Sequence, residues 1–245
     1  MGNYIIEDNL SSAWLSAVQY ILNQSGLQCN NLMVEIRNPL ERNLEIEQNY
    51  ESFCIRNDIK HFSIPAATIF PKKAFEILGR NRLKLYDKYP RLHKCLKGSW
   101  GSYFGQMIGW KLSKNSNVTP INQLEQIIKR INTRQRIYTA AYTIQIANPI
   151  DHSSYVIGGP CLHYIFLQLD SSSRAMNMLA IYRNHDFAIK AYGNYVGLGH
   201  LLEFLCSETN FNIGKLTCVS SHAFINSNYQ RELNQLLGGT VTNEL

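Results

Sequence analysis

GGPCLHYIFLQLDSSSRAMNMLAIYRNHD, residues 158–186, contains two strand-like runs and the turn between them. In HYIFLQL (163–169) alternation puts Ile165, Leu167 and Leu169 on one side, as a half-buried strand requires. MNMLAIYR (176–183) pairs with it across the polar turn DSSSR, which predicts an antiparallel hairpin. On either side of this hairpin, RIYTAAYTIQI (136–146), KLTCVSS (215–221) and LMVEI (32–36), the last closed by Asn38-Pro39, read as further strands. Helical spacing appears over 195–209, with Val196, Leu198, Leu201, Leu202 and Leu205 as its buried stripe. It recurs over 121–131, with Ile121, Leu124, Ile127, Ile128 and Ile131. Ser11 or Ser12 is placed to cap an early helix whose apolar face is Trp14, Leu15, Val18, Ile21 and Leu22, with Gly26 at its stop. Residues 40–70 are mixed, and Pro65 and Pro71 bracket the apolar stretch AATIF. Strands and helices together with an antiparallel hairpin predict an α+β fold. With no internal repeat, low-complexity segment or linker, residues 1–245 read as one domain.

The composition agrees with a globular chain that can build a large core. Of its 245 residues 45% are apolar and 17% charged. The basic excess, 24 − 18 = +6, suits a phosphate-bearing ligand. The charges are scattered and do not form the blocks of a nucleic-acid surface. The six cysteines include no C-x-x-C pair, which argues against a zinc site. MGNYIIEDN lacks the regions of a signal peptide, Ile6 stands where a myristoylation signal needs Ser or Thr, and no apolar run reaches membrane-spanning length. The expectation is a cytoplasmic protein with reduced thiols. No Gly-rich phosphate loop supports a P-loop or Rossmann enzyme.

Four signals carry chemistry. Gly158-Gly-Pro160 sets an irregular backbone just before Cys161 at the entrance of a strand, where a thiol near cations becomes a nucleophile; the alternative is a buried core cysteine. Arg183 and Asp186 end the next strand, as a phosphate-binding guanidinium with a partner carboxylate or as a surface ion pair. Asn194, eight residues on, is either a helix cap or a carboxamide that reads a base edge. His222, after a strand, is a sugar-binding group or a satisfied loop histidine.

These signals recur in one order, and that order resembles the C-terminal half of thymidylate synthases: Pro-Cys161, Arg183-x-x-Asp186, Asn194, a long apolar helix, then Ser-His222. Gly101-Ser-Tyr103-Phe104-Gly105 is similar to the family's Gly-x-x-Tyr-Gly turn. Thr133-Arg134-Gln135-Arg136-Ile137 resembles its Ser-Arg-Arg-Ile-Ile strand entry. The motifs fall within residues 98–225. Residues 1–97 are divergent, although VEIRNPLERN (34–43), with Arg42, is similar to the Asn-Pro-x-x-Arg stretch of the pyrimidine hydroxymethylase branch.

The resemblance implies a thymidylate synthase-like fold, a mixed sheet flanked by helices in a single domain, and a one-carbon transferase of nucleotide biosynthesis. The Cys161 thiolate would add to C6 of a uridine-type nucleoside monophosphate, and C5 would take a methyl or hydroxymethyl group from 5,10-methylenetetrahydrofolate. It further implies that Arg183 binds the phosphate, that Arg136 and Arg134 reach it across a homodimer interface, and that Arg42 belongs to the nucleotide-binding set. Asn194 would read the base, His222 the sugar, and Asp186 would face the folate. Departures are visible. Leu162 follows the cysteine, with His163 one place later. Phe104 replaces the turn tyrosine, leaving Tyr103 adjacent to substitute for it. Phe224 stands where a tyrosine follows the sugar-binding histidine. Lys72 stands where the family's catalytic Glu falls, so Glu76 would serve only with a four-residue shift. Two alternatives follow: a catalytically degenerate nucleotide-binding protein on the same scaffold, and folate-independent C5 chemistry through the Cys161 adduct.

Overall fold

The computed structural model describes residues 3–92, 101–111, 117–133, 136–152 and 158–241. In chain order the elements are β1 (Tyr4–Asn9), α1 (Leu10–Leu22), β2 (Gln28–Asn38), α2 (Leu44–Arg56), α3 (Ser63–Ile69), α4 (Lys72–Ile77), α5 (Arg82–Leu92) and α6 (Tyr103–Ile108). There follow α7 (Gln123–Thr133), β3 (Tyr142–Gln145), α8 (Pro149–His152), β4 (Leu162–Asp170), β5 (Ala175–Tyr182), β6 (His185–Asp186), α9 (Ala191–Thr209), β7 (Asn212–Phe224) and α10 (Gln230–Val241).

The strands form one mixed seven-stranded open sheet in the order β1-β2-β7-β5-β4-β3, with β6 beside β7. The hairpin β4–β5 is antiparallel, as expected, with Leu167 opposite Met178. β5 and β7 run parallel, joined by α9 as the crossover. Cross-strand partners share a face, and the two faces differ. Val34, Cys218, Ala180 and Ile165 lie in one row and are buried. The row behind it, Tyr4, Met33, Val219, Ile181 and Tyr164, is half-buried or exposed. Helices therefore seal one face and leave the other accessible. α9 is buried along most of its length. It approaches its neighbours closely through Gly193 and Gly197, where an added Cβ would fall 2.5 Å from Phe62 O and 2.7 Å from Ala66 O.

Several boundaries differ from the sequence reading. The first helix is capped by Asn9, whose Oδ1 accepts the Ser12 N–H at 2.9 Å, and Ser11 is instead buried against the Tyr192 hydroxyl. The strand expected over 136–146 shrinks to Tyr142–Gln145. β1 escapes the sequence reading, because YIIEDN alternates weakly and pairs in parallel with β2 only after α1 has brought the two together. The mixed stretch 40–70 resolves into α2 and α3. Among the described residues no helix is long and apolar enough to cross a membrane.

Candidate active site

Cys161 lies immediately before β4, half-buried, and its position is fixed from three sides. Its carbonyl accepts the Arg183 N–H at 2.9 Å, which ties the cysteine to the end of β5. Its own N–H donates to the Tyr103 hydroxyl at 3.3 Å, and the Leu162 N–H points to the same oxygen. The register of β4 against β5 slips between Leu162 and Tyr164, a bulge that re-aims the chain beside the thiol. The Cys161 thiol faces Gly159 O at 4.0 Å.

The electrostatics of this thiol are a contest. Burial pushes its pKa up, Arg183 and then Lys190 pull it down, and Asp186 pushes it up again. Burial wins, so in the free protein the thiol is protonated near neutral pH. The Arg183 Nε donates to Pro160 O at 3.1 Å, which orients the guanidinium beside the cysteine. His163 joins the group through the same Pro160 carbonyl. Burial and then Arg183 depress its pKa. Tyr103 is almost wholly buried, and burial raises its hydroxyl pKa, so it stays a neutral hydrogen-bonding post.

Asp186 is close enough to influence the thiol, but its carboxylate has local work. Oδ1 accepts the N–H groups of Ala188 at 2.9 Å and Ile189 at 3.1 Å and so shapes the turn into α9. Burial raises its pKa against those two hydrogen bonds and Lys190. Asn194 is not a helix cap: its N–H donates to Lys190 O at 2.9 Å inside the first turn of α9. Its side chain is buried, with Nδ2 3.1 Å from Nε2 of His185. His222 places Nδ1 2.7 Å from Asn184 Oδ1 and Nε2 3.0 Å from Gln28 Oε1, and stacks on Phe224. Arg136 is exposed, its guanidinium 5.6 Å from the Tyr138 ring centroid. Arg134 lies outside the described residues.

Two other predicted residues have surroundings of their own. Glu76 is exposed on α4, because Phe75 turns inward to pack on Phe70 and Phe204 and its neighbour must turn out. Lys72, one turn earlier, pairs with Glu203 at 2.8 Å. The carboxyl of Glu76 is thus open to solvent. Arg42 bonds Glu47 at 2.8 Å, and with Lys72 and His200 it lines a small cavity of about 70 Å³. Its guanidinium thus belongs to a separate cluster farther along α9.

Residues that the sequence did not single out complete the neighbourhood. Lys190 acts on both Cys161 and Asp186. Tyr182, a near neighbour of Cys161 and Tyr103, is stacked on His185 at 4.0 Å with the rings 6° from parallel. Among the described residues, the buried hydroxyls of Tyr182 and Tyr195 find no hydrogen-bond partner. Such a group costs about 1–3 kcal/mol, so stability is given up beneath the cluster. A larger cavity, about 360 Å³ between α7 and β3, is lined by residues such as Trp110, Arg130 and Thr143 and includes none of the Cys161 group.

No protein-family model and no curated protein matches the chain.

Proposed function

We propose that this protein binds a uridine-type pyrimidine nucleoside monophosphate and activates its C5 through a Cys161–C6 adduct, the opening half of a C5 methyl or hydroxymethyl transfer. One observation carries the reading: the thiol that the sequence singled out stands at a strand entrance, tied through its backbone to Arg183 and within reach of Arg183 and Lys190, while among the described residues no cation acts on the buried Cys54, Cys206 and Cys218. Arg183 binds the phosphate and favours the thiolate. The thiolate forms a bond to C6, the C5–C6 π electrons move onto C5 and O4, and C5 takes a proton from solvent. Loss of the original C5 hydrogen and expulsion of the sulfur regenerate the base.

The carboxylate that the resemblance turns towards a folate, Asp186, holds the turn into α9, and Glu76 faces solvent. On these two points the residues give 5,10-methylenetetrahydrofolate little support. The same points favour a second reading, a nucleotide-binding protein that has lost the transfer. The experiment separates the two. Tritium at C5 of UMP or dUMP washes out with the wild-type protein and stays with Cys161→Ser. Binding without exchange leaves only the second reading, and calorimetry showing no binding to folded protein removes both.

A homodimer belongs to the proposal. The accessible sheet face carries the apolar row Tyr4, Met33, Val219, Ile181 and Tyr164, which a second copy would cover, and Arg136 is exposed to reach across. Light scattering is expected to give twice the monomer mass, and Ile181→Asp to return it to one.

A further inference from the structure

The sheet ends at β3, whose outer edge has no strand beside it. The Ile146 N–H donates inward to His163 O of β4 at 2.9 Å, whereas Gln145 turns both of its backbone groups outward. Gln123 of α7 meets them: the Gln145 N–H donates to Gln123 Oε1, and Gln123 Nε2 donates to Gln145 O, both at 2.8 Å. One carboxamide thus takes the place of a neighbouring strand. Backbone direction repeats every second residue, so Thr143 presents its N–H and C=O to the same side. Thr143 is exposed, and among the described residues nothing bonds to either group. The edge is closed at Gln145 and open at Thr143.

Beside the open stretch lies the cavity of about 360 Å³ between β3 and α7. Trp110, held by a two-way backbone bridge to Ile121, and Ile127 give it an apolar wall. Two polar atoms of its lining residues, Trp110 Nε1 and the Tyr142 hydroxyl, are buried and have no hydrogen-bond partner among the described residues. Arg130 lines it as well, exposed and, among the described residues, with no carboxylate partner; Glu125, the nearby acid on α7, is taken by Arg82 and Lys129.

We propose that this edge and cavity form a docking groove for an extended peptide segment of a partner protein, with an acidic residue near an apolar one, that adds a strand at Thr143. Main-chain bonds to Thr143 would hold the segment, and alternate side chains, on the side of Tyr142, would enter the cavity. The apolar side chain meets Trp110 and Ile127, and the acid meets Arg130. From Gln123 to Arg130 the helix rises about 10 Å, the length of three residues of extended chain. The acid therefore sits about three residues from the point where Gln123 stops the pairing. A small ligand could fill the cavity but would leave the Thr143 backbone unmet, which is why the occupant is a peptide. The proposal stands apart from the nucleotide reading.

Fluorescence anisotropy with capped, β-forming peptides of about eight residues tests it. In the panel an aspartate lies one to three residues from a leucine, and each peptide has a lysine version and a version N-methylated along one edge. At least one aspartate peptide is expected to bind the wild type saturably. Its lysine version binds about tenfold more weakly, and its N-methylated version does not bind. Arg130→Glu reverses the order of aspartate and lysine, which a misfolded protein would not do. Thr143→Pro deletes only an outward N–H, a change tolerated at a sheet edge, and is expected to abolish binding with the circular dichroism unchanged. Equal affinity for aspartate and lysine versions overturns the proposal, as does full binding of the N-methylated peptide, which would leave a pocket for side chains or small molecules only. No binding of any panel member to folded wild type also overturns it. So does an oligomer that Thr143→Pro disrupts without peptide, since a second copy would then be the occupant. None of these results bears on nucleotide binding.

Discussion

Cys161 and Cys218 stand only two strands apart in one sheet, and they are in opposite chemical situations. Cys218, in the middle of β7, faces the helices, is fully sealed, and has its pKa raised far above the ordinary thiol value by burial alone. Cys161 stands at the entrance of β4, is also raised by burial, but feels Arg183 and Lys190 working against it. Burial is thus common to both, and the cations distinguish them. A sheet interior makes a cysteine inert; a strand end, where side chains of the following turn converge, is where its ionisation can be controlled.

The largest expected effect separates the two outright. Cys161→Ser should lower C5 label exchange about a thousandfold or more, while Cys218→Ala leaves the rate within a few fold. Equal losses in both variants, with folding confirmed by circular dichroism, would break the comparison. Next, iodoacetamide should modify Cys161 at least about a hundredfold faster than Cys218 in native protein, read by peptide mass spectrometry. Because the Cys161 pKa is raised, its alkylation should climb with pH and still be rising above pH 9; a plateau by pH 7 would mean that the cations outweigh burial. Arg183→Ala removes the strongest opposing charge. It should slow alkylation at pH 8 by about three- to tenfold, half to one unit of further pKa increase. The smallest effect concerns the post that holds the backbone of Cys161. Tyr103→Phe leaves two backbone N–H groups without their acceptor and should cost about 1 kcal/mol in denaturant unfolding.

Much of the fold was legible because it rests on local periodicity. The hairpin β4–β5, the helix α7 and the apolar stripe of α9 each repeat a pattern within a few residues. β1 and the order of the sheet were not legible: parallel pairing of β1 with β2, and of β5 with β7, joins residues far apart in the chain that share no local signal. The candidate site divides in the same way. Cys161 and Arg183 are joined by the register of adjacent strands, so their meeting followed from the hairpin. Glu76 and Arg42 were assigned by position along the chain, and the packing of Phe75 and the pull of Glu47 send them elsewhere. The hydrogen bonds from Ser220 through His185 to Asn194 cross three elements, and no spacing announces them.

The order of amino acids was enough to set the strands and helices with strong periodicity, their α/β character and the one cysteine at an irregular strand entrance, because those depend on neighbours in sequence. Which charges that cysteine feels, which face of the sheet stays open and what stands behind Asn194 were settled only when the chain packed. Electrostatics and burial act through space, and the distances that govern them exist only once the sheet is assembled.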